Sequence, residues 1–398
     1  MEKIADVLVL DRVDPVRIIL SSRLLFERLK AVSFCVGRDR NLPILQCIKV
    51  DVAVDSLTIT TSDTANTAIT TLVVESSGVI STCIQFDLIF KLLSMLADQN
   101  LTLLIDPLTR KLVIEADSGV YAFPGQEPHD WPIPLAMAHV VQAEVKTDFF
   151  CRALREVLTF TSTEDIRLVL GGVLLELDSS QLRLCASDAQ ALGLRQIAFS
   201  GKDPGPVQNG KYQLILSSKV AKALSSIHKD NSENSVSLSF SSSAILFTGL
   251  PNGITILSQL IEGDYPTFLN LIPRQNPSRL VVNRSAFLLA LNRIEPFAST
   301  GNRRVRLQLS ENGCQIFAED LNNSRQAREY IQANYSGNEL SISFSLSRLQ
   351  YAVESFTTSE IRLELSSLSR AGVVREADAP EEDANLVLVM PFAGSDLV

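Results

Sequence analysis

Apolar residues recur at helical spacing six times along this chain, and between those stretches they alternate with polar ones. Leu25, Leu29 and Val32 stand at i, i+4 and i+7, as do Phe150, Leu154, Val157 and Phe287, Leu291, Ile294. Such spacing puts each set on one helix face. Ser22, Thr147 and Asn283 stand ahead of these sets as candidate N-caps. A second family of helices reads Ile89, Leu93, Leu96, then Val220, Leu224, Ile227, then Leu349, Val353, Phe356. Each of the second family is followed by a strand-like run: LTLLID, SVSLSF and IRLELS. The pattern predicts helices over 23–36, 87–98, 148–162, 218–230, 284–299 and 345–356, with strands filling most of the rest.

The alternating runs also repeat. LTITTSD ends at Asp63, LRLCASD at Asp188 and CQIFAED at Asp320, separations of 125 and 132 residues. HDWPIP (129–134) and GDYPTFLNLIP (263–273) both place Asp-aromatic-Pro where a unit ends. A shared period in independent features marks a triplicated unit. Each unit runs strand, helix, several strands, helix, several strands, which is an α+β pattern of few amphipathic helices packed on antiparallel sheets. Residues 1–15 read as an N-terminal extension, followed by units at 16–143, 144–277 and 278–398. The acidic stretch READAPEEDAN (375–385) reads as a solvated loop before the last strand, LVLVM.

Net charge is −9, with 46% hydrophobic and 20% charged residues, a globular and not a disordered composition. The charge is unevenly placed. The six helical segments hold twelve Lys and Arg against eight Asp and Glu, so they net +4 and the remainder nets −13. Relatively basic helices on an acidic body suit loose, salt-sensitive contact with a polyanion, though Lys and Arg are also simply good helix formers. Basic and aromatic residues are not interleaved as in proteins that stack bases. Cys35, Cys47, Cys83, Cys151, Cys185 and Cys314 are scattered with no CxxC pair, as expected of buried thiols in a reducing compartment. No apolar run reaches the roughly 18 residues of a membrane span, and MEKIADVLVLDRVDP does not read as a signal peptide, so a cytoplasmic location is expected.

Catalytic chemistry is sparse. His129, His139 and His228 have no metal-type partner at i+3 or i+4. GxSxG, HExxH, Walker and GxGxxG motifs are absent. GLPNG (249–253) reads as a hairpin turn. Asp63, Asp188 and Asp320 could be imagined as one acid/base set. Each sits in its own repeat, however, and a general acid needs its partner within hydrogen-bond reach. No enzymatic activity, metal or cofactor is expected.

Several segments, in order and at spacing, carry a resemblance: NLPILQCIKVDV (41–52), DIRLVLGGVLLEL (165–177), LIEGDYPTFLNLIP (260–273), RRVRLQLSENG (303–313) and LVLVMPF (386–392). Over about residues 16–392 the chain resembles the bacterial replicative sliding clamps, the β subunits of DNA polymerase III. The resemblance implies three tandem clamp domains, with antiparallel sheets outside and two helices per domain inside. It also implies a head-to-tail homodimeric ring that encircles duplex DNA without reading its sequence, as a processivity factor in DNA replication. Implied partners are DNA, the polymerase catalytic subunit, the clamp loader and other clamp-binding peptides. Carried over by position, the DNA-facing bases are Arg23, Arg28, Lys30, Lys91, Arg152, Arg155, Lys219, Lys222, Arg284, Arg293 and Arg348, joined by loop residues Arg38 and Arg40. The partner-peptide groove, between the second and third domains, falls on Leu170, Ser187, Ala189, Leu192, Pro266, Asn270, Leu271, Met390, Pro391 and Phe392.

The chain departs from the family pattern at that groove. Ala189, Gln190 and Ala191 stand where the family places glycine, histidine and arginine, and Asn270 where it places an arginine. FAGSDLV (392–398) continues past the usual end. These departures imply a shifted peptide preference, and an alternative reading is a specialised clamp paralogue with altered partners.

Overall fold

The computed structural model describes residues 14–392, apart from Leu135, 205–210, 228–233, Arg274, 381–384 and the side chains of Asp165 and Ile166. The N-terminal extension to residue 13, His228 and the tail 393–398 therefore lie outside the described residues.

The predicted order of elements is present three times. The first repeat runs β1 (Val16–Ser21), α1 (Ser22–Val32), β2 (Cys47–Val52), β3 (Ser56–Ser62), β4 (Asn66–Val73), β5 (Ile80–Gln85), α2 (Phe86–Met95), β6 (Asn100–Ile105), β7 (Leu112–Ala116) and β8 (Gly119–Phe123), with a short β9 (Gly125–Gln126) behind it. The second runs β10 (Val141–Lys146), α3 (Thr147–Leu158), β11 (Gly172–Leu177), β12 (Gln181–Ser187), β13 (Ala191–Ala198), β14 (Tyr212–Ser217), α4 (Ser218–Ser225), β15 (Ser235–Phe240), β16 (Ala244–Thr248) and β17 (Ile254–Gln259). The third runs β18 (Ser278–Asn283), α5 (Arg284–Ile294), β19 (Arg304–Ser310), β20 (Gly313–Asp320), β21 (Arg325–Ile331), β22 (Asn334–Ser336), β23 (Leu340–Ser345), α6 (Leu346–Glu354), β24 (Glu360–Leu365), β25 (Gly372–Glu376) and β26 (Leu386–Val389).

The helices are shorter than the apolar spacing suggests, because their last turns tighten into 3-10 turns such as Ser33–Cys35 and Glu295–Phe297. Asn283 caps α5 by accepting the Ala286 N–H. The cap of α1 is Ser21, not Ser22 as expected. Ser22 is buried, and its Oγ donates to the Ala97 carbonyl and accepts from the Gln99 N–H. Thr147 is the first residue of α3, and its buried hydroxyl has no hydrogen-bond partner among the described residues. GLPNG is a hairpin connection between β16 and β17, with Gly249, Asn252 and Gly253 at positive φ.

The strands form antiparallel sheets, and two compact units result. One holds the first repeat with β10 and β15–β17; the other holds α4, β11–β14 and the third repeat. In the first unit, β4 pairs with β17 (Thr70 opposite Ile254, Asn66 opposite Ser258), joining five strands of the first repeat to four of the second in a nine-strand sheet. In the second, β13 pairs with β26 (Ala191 opposite Val389, Leu194 opposite Leu386) in the same way. The seams use equivalent strands: the third after the first helix of one repeat, and the third after the second helix of the next. Gly193 sits in the second seam because a Cβ there would come within 2.5 Å of the Phe160 ring. Two four-strand sheets remain, β1-β6-β7-β8 and β21-β20-β19-β23, with β8 and β21 at their edges.

Candidate nucleic-acid and peptide interface

Along α1, Arg23 and Lys30 are exposed, and Arg23 pairs with Glu27 one turn on, 3.1 Å away. Arg28 turns inward. Its Nη1 is buried without a hydrogen-bond partner among the described residues, and burial lowers its pKa despite Glu27 alongside. Lys91 is exposed on α2, whose Phe86 and Phe90 stack while Phe90 also stacks on Phe26 of α1. Arg38 and Arg40 are exposed and line a cavity of about 270 Å³ with Gln46 and Asp87.

On α3, Arg152 lies over the Phe149 ring at 5.0 Å. Arg155 donates to the Ser225 carbonyl at 2.7 and 3.2 Å, fastening α3 to the end of α4. Lys219 and Lys222 are exposed on α4. On α5, Arg284 donates to the Thr358 carbonyl at 3.2 Å and Arg293 is ion-paired with Glu329 of β21.

Arg348 has a side chain 29% exposed and binds Asp188 Oδ2 through Nε and Nη2, each at 2.8 Å, so its charge is matched by the β12–β13 turn.

The three repeated aspartates close turns. Asp63 Oδ1 accepts the Asn66 N–H at 2.7 Å, Asp188 Oδ1 those of Gln190 and Ala191 at 2.9 and 2.7 Å, and Asp320 Oδ1 that of Asn323 at 3.3 Å. Among the described residues no group of His, Cys, Asp and Glu is placed to hold a metal ion, and all six cysteines are buried outside any disulfide.

Within the second unit the groove positions divide into floor and rim. Leu170 and Leu192 are each 4% exposed and pack with Leu388, Tyr265 and Phe268 in one apolar cluster. Leu271 (61% exposed) and Met390 (42%) stand at the surface, with Pro266 and Asn270 also exposed. Ser187 Oγ donates to the Ala191 carbonyl and accepts the Ala189 N–H, which fixes the turn. Ala189 is held at φ 69°, a conformation that strains any side chain. Met390 N–H donates to the Gln190 carbonyl at 2.8 Å, so turn and C-terminal strand share the rim. Burial raises the Tyr265 hydroxyl well above its ordinary pKa, outweighing the lowering effect of the Ser187 backbone. Pro391 bridges Phe344, Phe392 N–H donates to the Ser343 carbonyl, and Arg304 covers the Phe392 ring at 5.7 Å, because the chain turns onto β23 after Met390.

Sequence reasoning missed Arg195, which is 5% exposed on β13. It donates to Glu156 Oε2 at 2.6 Å, to the Leu386 and Ser355 carbonyls at 3.2 and 2.8 Å, and lies 4.6 Å over the Phe356 ring. The signal was a charge in the largely apolar run LGLRQIA.

Two family models match in tandem: the central domain of the DNA polymerase III beta subunit over residues 144–267, and its C-terminal domain over 269–392. The chain belongs to the bacterial β sliding clamp family. Among curated relatives, the beta sliding clamp of Bacillus subtilis is 26% identical over 257 residues, 64% of this chain and 64% of that protein. The beta sliding clamp of Pseudomonas aeruginosa is 24% identical over 375 residues, 92% of this chain and 97% of that one. The crystal structure of the Bacillus subtilis clamp superposes with a TM-score of 0.86 at 22% identity, covering 96% of this chain and all of that one. That of the Thermotoga maritima β subunit gives 0.84 at 19% identity, with the same coverage of each. These structures share the α+β clamp fold of antiparallel sheets and paired helices.

Proposed function

We propose that this clamp-family protein is a DNA sliding clamp and processivity factor, a head-to-tail homodimeric ring around duplex DNA that acts without catalysis of its own. The observation that carries the ring is the repeated seam. β4 takes β17, and β13 takes β26; the equivalent strands whose outer edges are left unpaired among the described residues are β21 and β8. Two exposed edges of complementary kind, on different repeats, make a heterologous interface, which closes a ring when the rotation divides a full turn. Two copies of three domains, at 16–143, 144–277 and 278–398, would give six-fold pseudo-symmetry.

Arg23, Lys30, Arg38, Arg40, Lys91, Arg152, Lys219 and Lys222 supply phosphate contacts in this reading, with Arg28, Arg155, Arg284, Arg293 and Arg348 tied partly into the protein. Contacts of that kind position without reading sequence, so the ring can slide. Polymerase, clamp-loader and other partner peptides would seat apolar anchors against Leu271, Met390 and Pro266 above Leu170 and Leu192. Sedimentation equilibrium tests the assembly: the reading requires about twice the 43.6 kDa chain mass, and a monomer at micromolar concentration would contradict it.

A further inference from the structure

The three repeats share one strand register, which makes their positions comparable residue by residue. The strands entering α2, α4 and α6 end at Gln85, Ser217 and Ser345. Two residues earlier, Cys83, Ile215 and Ser343 stand opposite Lys49, Leu174 and Arg306. Two strands further across, the same rungs reach Ile69, Leu194 and Arg328. The strands entering α1, α3 and α5 end at Ser21, Lys146 and Asn283. Four residues before those ends, the rungs run outward through Leu104, Ser239 and Glu364 to Ala122, Leu257 and Leu388.

Both seams inside the chain join these positions by one rule. Ile69 lies opposite Thr255 and Thr67 opposite Leu257, just as Leu194 lies opposite Leu386 and Leu192 opposite Leu388. Carried to the open edges, that rule sets Gln326 opposite Ala122 and Arg328 opposite Val120. The faces agree. Val120, Ala122, Gln326 and Arg328 are all exposed, while Tyr121 and Ala327, which would face each other between them, are both half-buried. A slip of one residue would set exposed positions against half-buried ones.

Charge agrees as well. Glu115 is exposed directly opposite Val120 on β7, and its carboxylate has no partner among the described residues. Arg328 is exposed and lies over the Phe317 ring at 5.8 Å, with no carboxylate bound to it among the described residues. The rule puts both on one face of one rung, two strand spacings or about 10 Å apart at the backbone, with only the short Val120 side chain between. Extended Arg and Glu side chains together span that gap.

We propose that β8 of one copy and β21 of a second copy pair antiparallel with Ala122 opposite Gln326, and that Arg328 forms an ion pair with Glu115 across the joint. This inference rests on the ring reading above, and it specifies which side chains hold the two copies together.

The test uses the full chain. Ala122→Cys with Gln326→Cys should give a disulfide-linked dimer under mild oxidation. Val120→Cys with Gln326→Cys, a diagonal pair, should link about tenfold more slowly. All three positions are exposed, so the variants should fold. Glu115→Arg and Arg328→Glu should each raise the dimer dissociation constant about tenfold at low salt, since the ring makes the contact twice. The chain carrying both reversals should recover most of that loss, which a merely structural role would not allow. A native dimer in which the diagonal pair links as fast or faster, or in which the two reversals simply add, overturns this pairing and leaves the ring standing. A native chain that stays monomeric overturns both.

Discussion

Arg348 on α6 and Asp188 in the β12–β13 turn, 160 residues apart in sequence, are joined by two 2.8 Å contacts. One carboxylate thus closes its own turn through Oδ1 and holds a helix of the next repeat through Oδ2. The pair is partly exposed, so it contributes about 0.5–1 kcal/mol. Asp188→Ala should cost more than Arg348→Ala, because it also releases the N–H groups of Gln190 and Ala191. A double-mutant cycle by urea denaturation measures the coupling; equal single-mutant costs with no coupling would refute the dual role.

Arg195 ties several groups of the second unit together. Its guanidinium satisfies Glu156 and the carbonyls of Leu386 and Ser355 at the β13–β26 seam. Arg195→Ala leaves Glu156 and those carbonyls without it and should destabilise by about 3–5 kcal/mol, read as a shifted urea midpoint. Arg195→Met, which keeps the apolar packing, should recover part of that loss.

Acid should unfold the protein partly through Glu176. That carboxylate is 1% exposed. Burial alone would raise its pKa, but hydrogen bonds from Lys211, Gln213 and Arg183 outweigh it and hold the value below the ordinary 4.5. A depressed carboxyl pKa stabilises above the unfolded value and loses that contribution as pH falls through the folded one. Melting temperature against pH should therefore drop below about pH 4.5 in the native protein. In Glu176→Gln the drop should be shallower, from a lower plateau at neutral pH.

Breaking either free edge should break the assembly. Val120→Pro in β8 or Arg328→Pro in β21 removes a backbone donor from a strand that has no partner on its outer side among the described residues. Each variant should keep its far-ultraviolet circular dichroism and sediment as a monomer. Dimers surviving both would place the interface elsewhere.

The six helices were legible because each buries one stripe: Leu25, Leu29 and Val32 are within 2% of full burial, as are Phe287, Leu291 and Ile294. The triplication was legible because each repeat closes its Asp turn with the same local chemistry. The seams were not. β4 and β17 alternate no differently from strands that pair within a repeat, and nothing local specifies a partner about 190 residues away. Nor were the side-chain ties of Arg348 and Arg195 readable, since a basic residue on a helix or strand looks the same whether it faces solvent or a distant carboxylate. Leu192 lies in the apolar run of β13, but Leu170 sits in a 3-10 turn (Asp165–Gly171) that no strand pattern marks, and the exposure of Leu271 depends on how its neighbours Tyr265 and Phe268 pack into the apolar cluster.

The most direct test of the sliding-clamp reading is retention on circular DNA. The protein is assembled on a nicked circular plasmid with a clamp loader, filtered through a gel column in high salt, and the circle is then cut at one site. Topological linkage predicts that it stays with the circle in salt that abolishes charge-based binding and leaves once the DNA is linear. Loss from the intact circle in high salt, or retention after cutting, would contradict a closed ring around DNA.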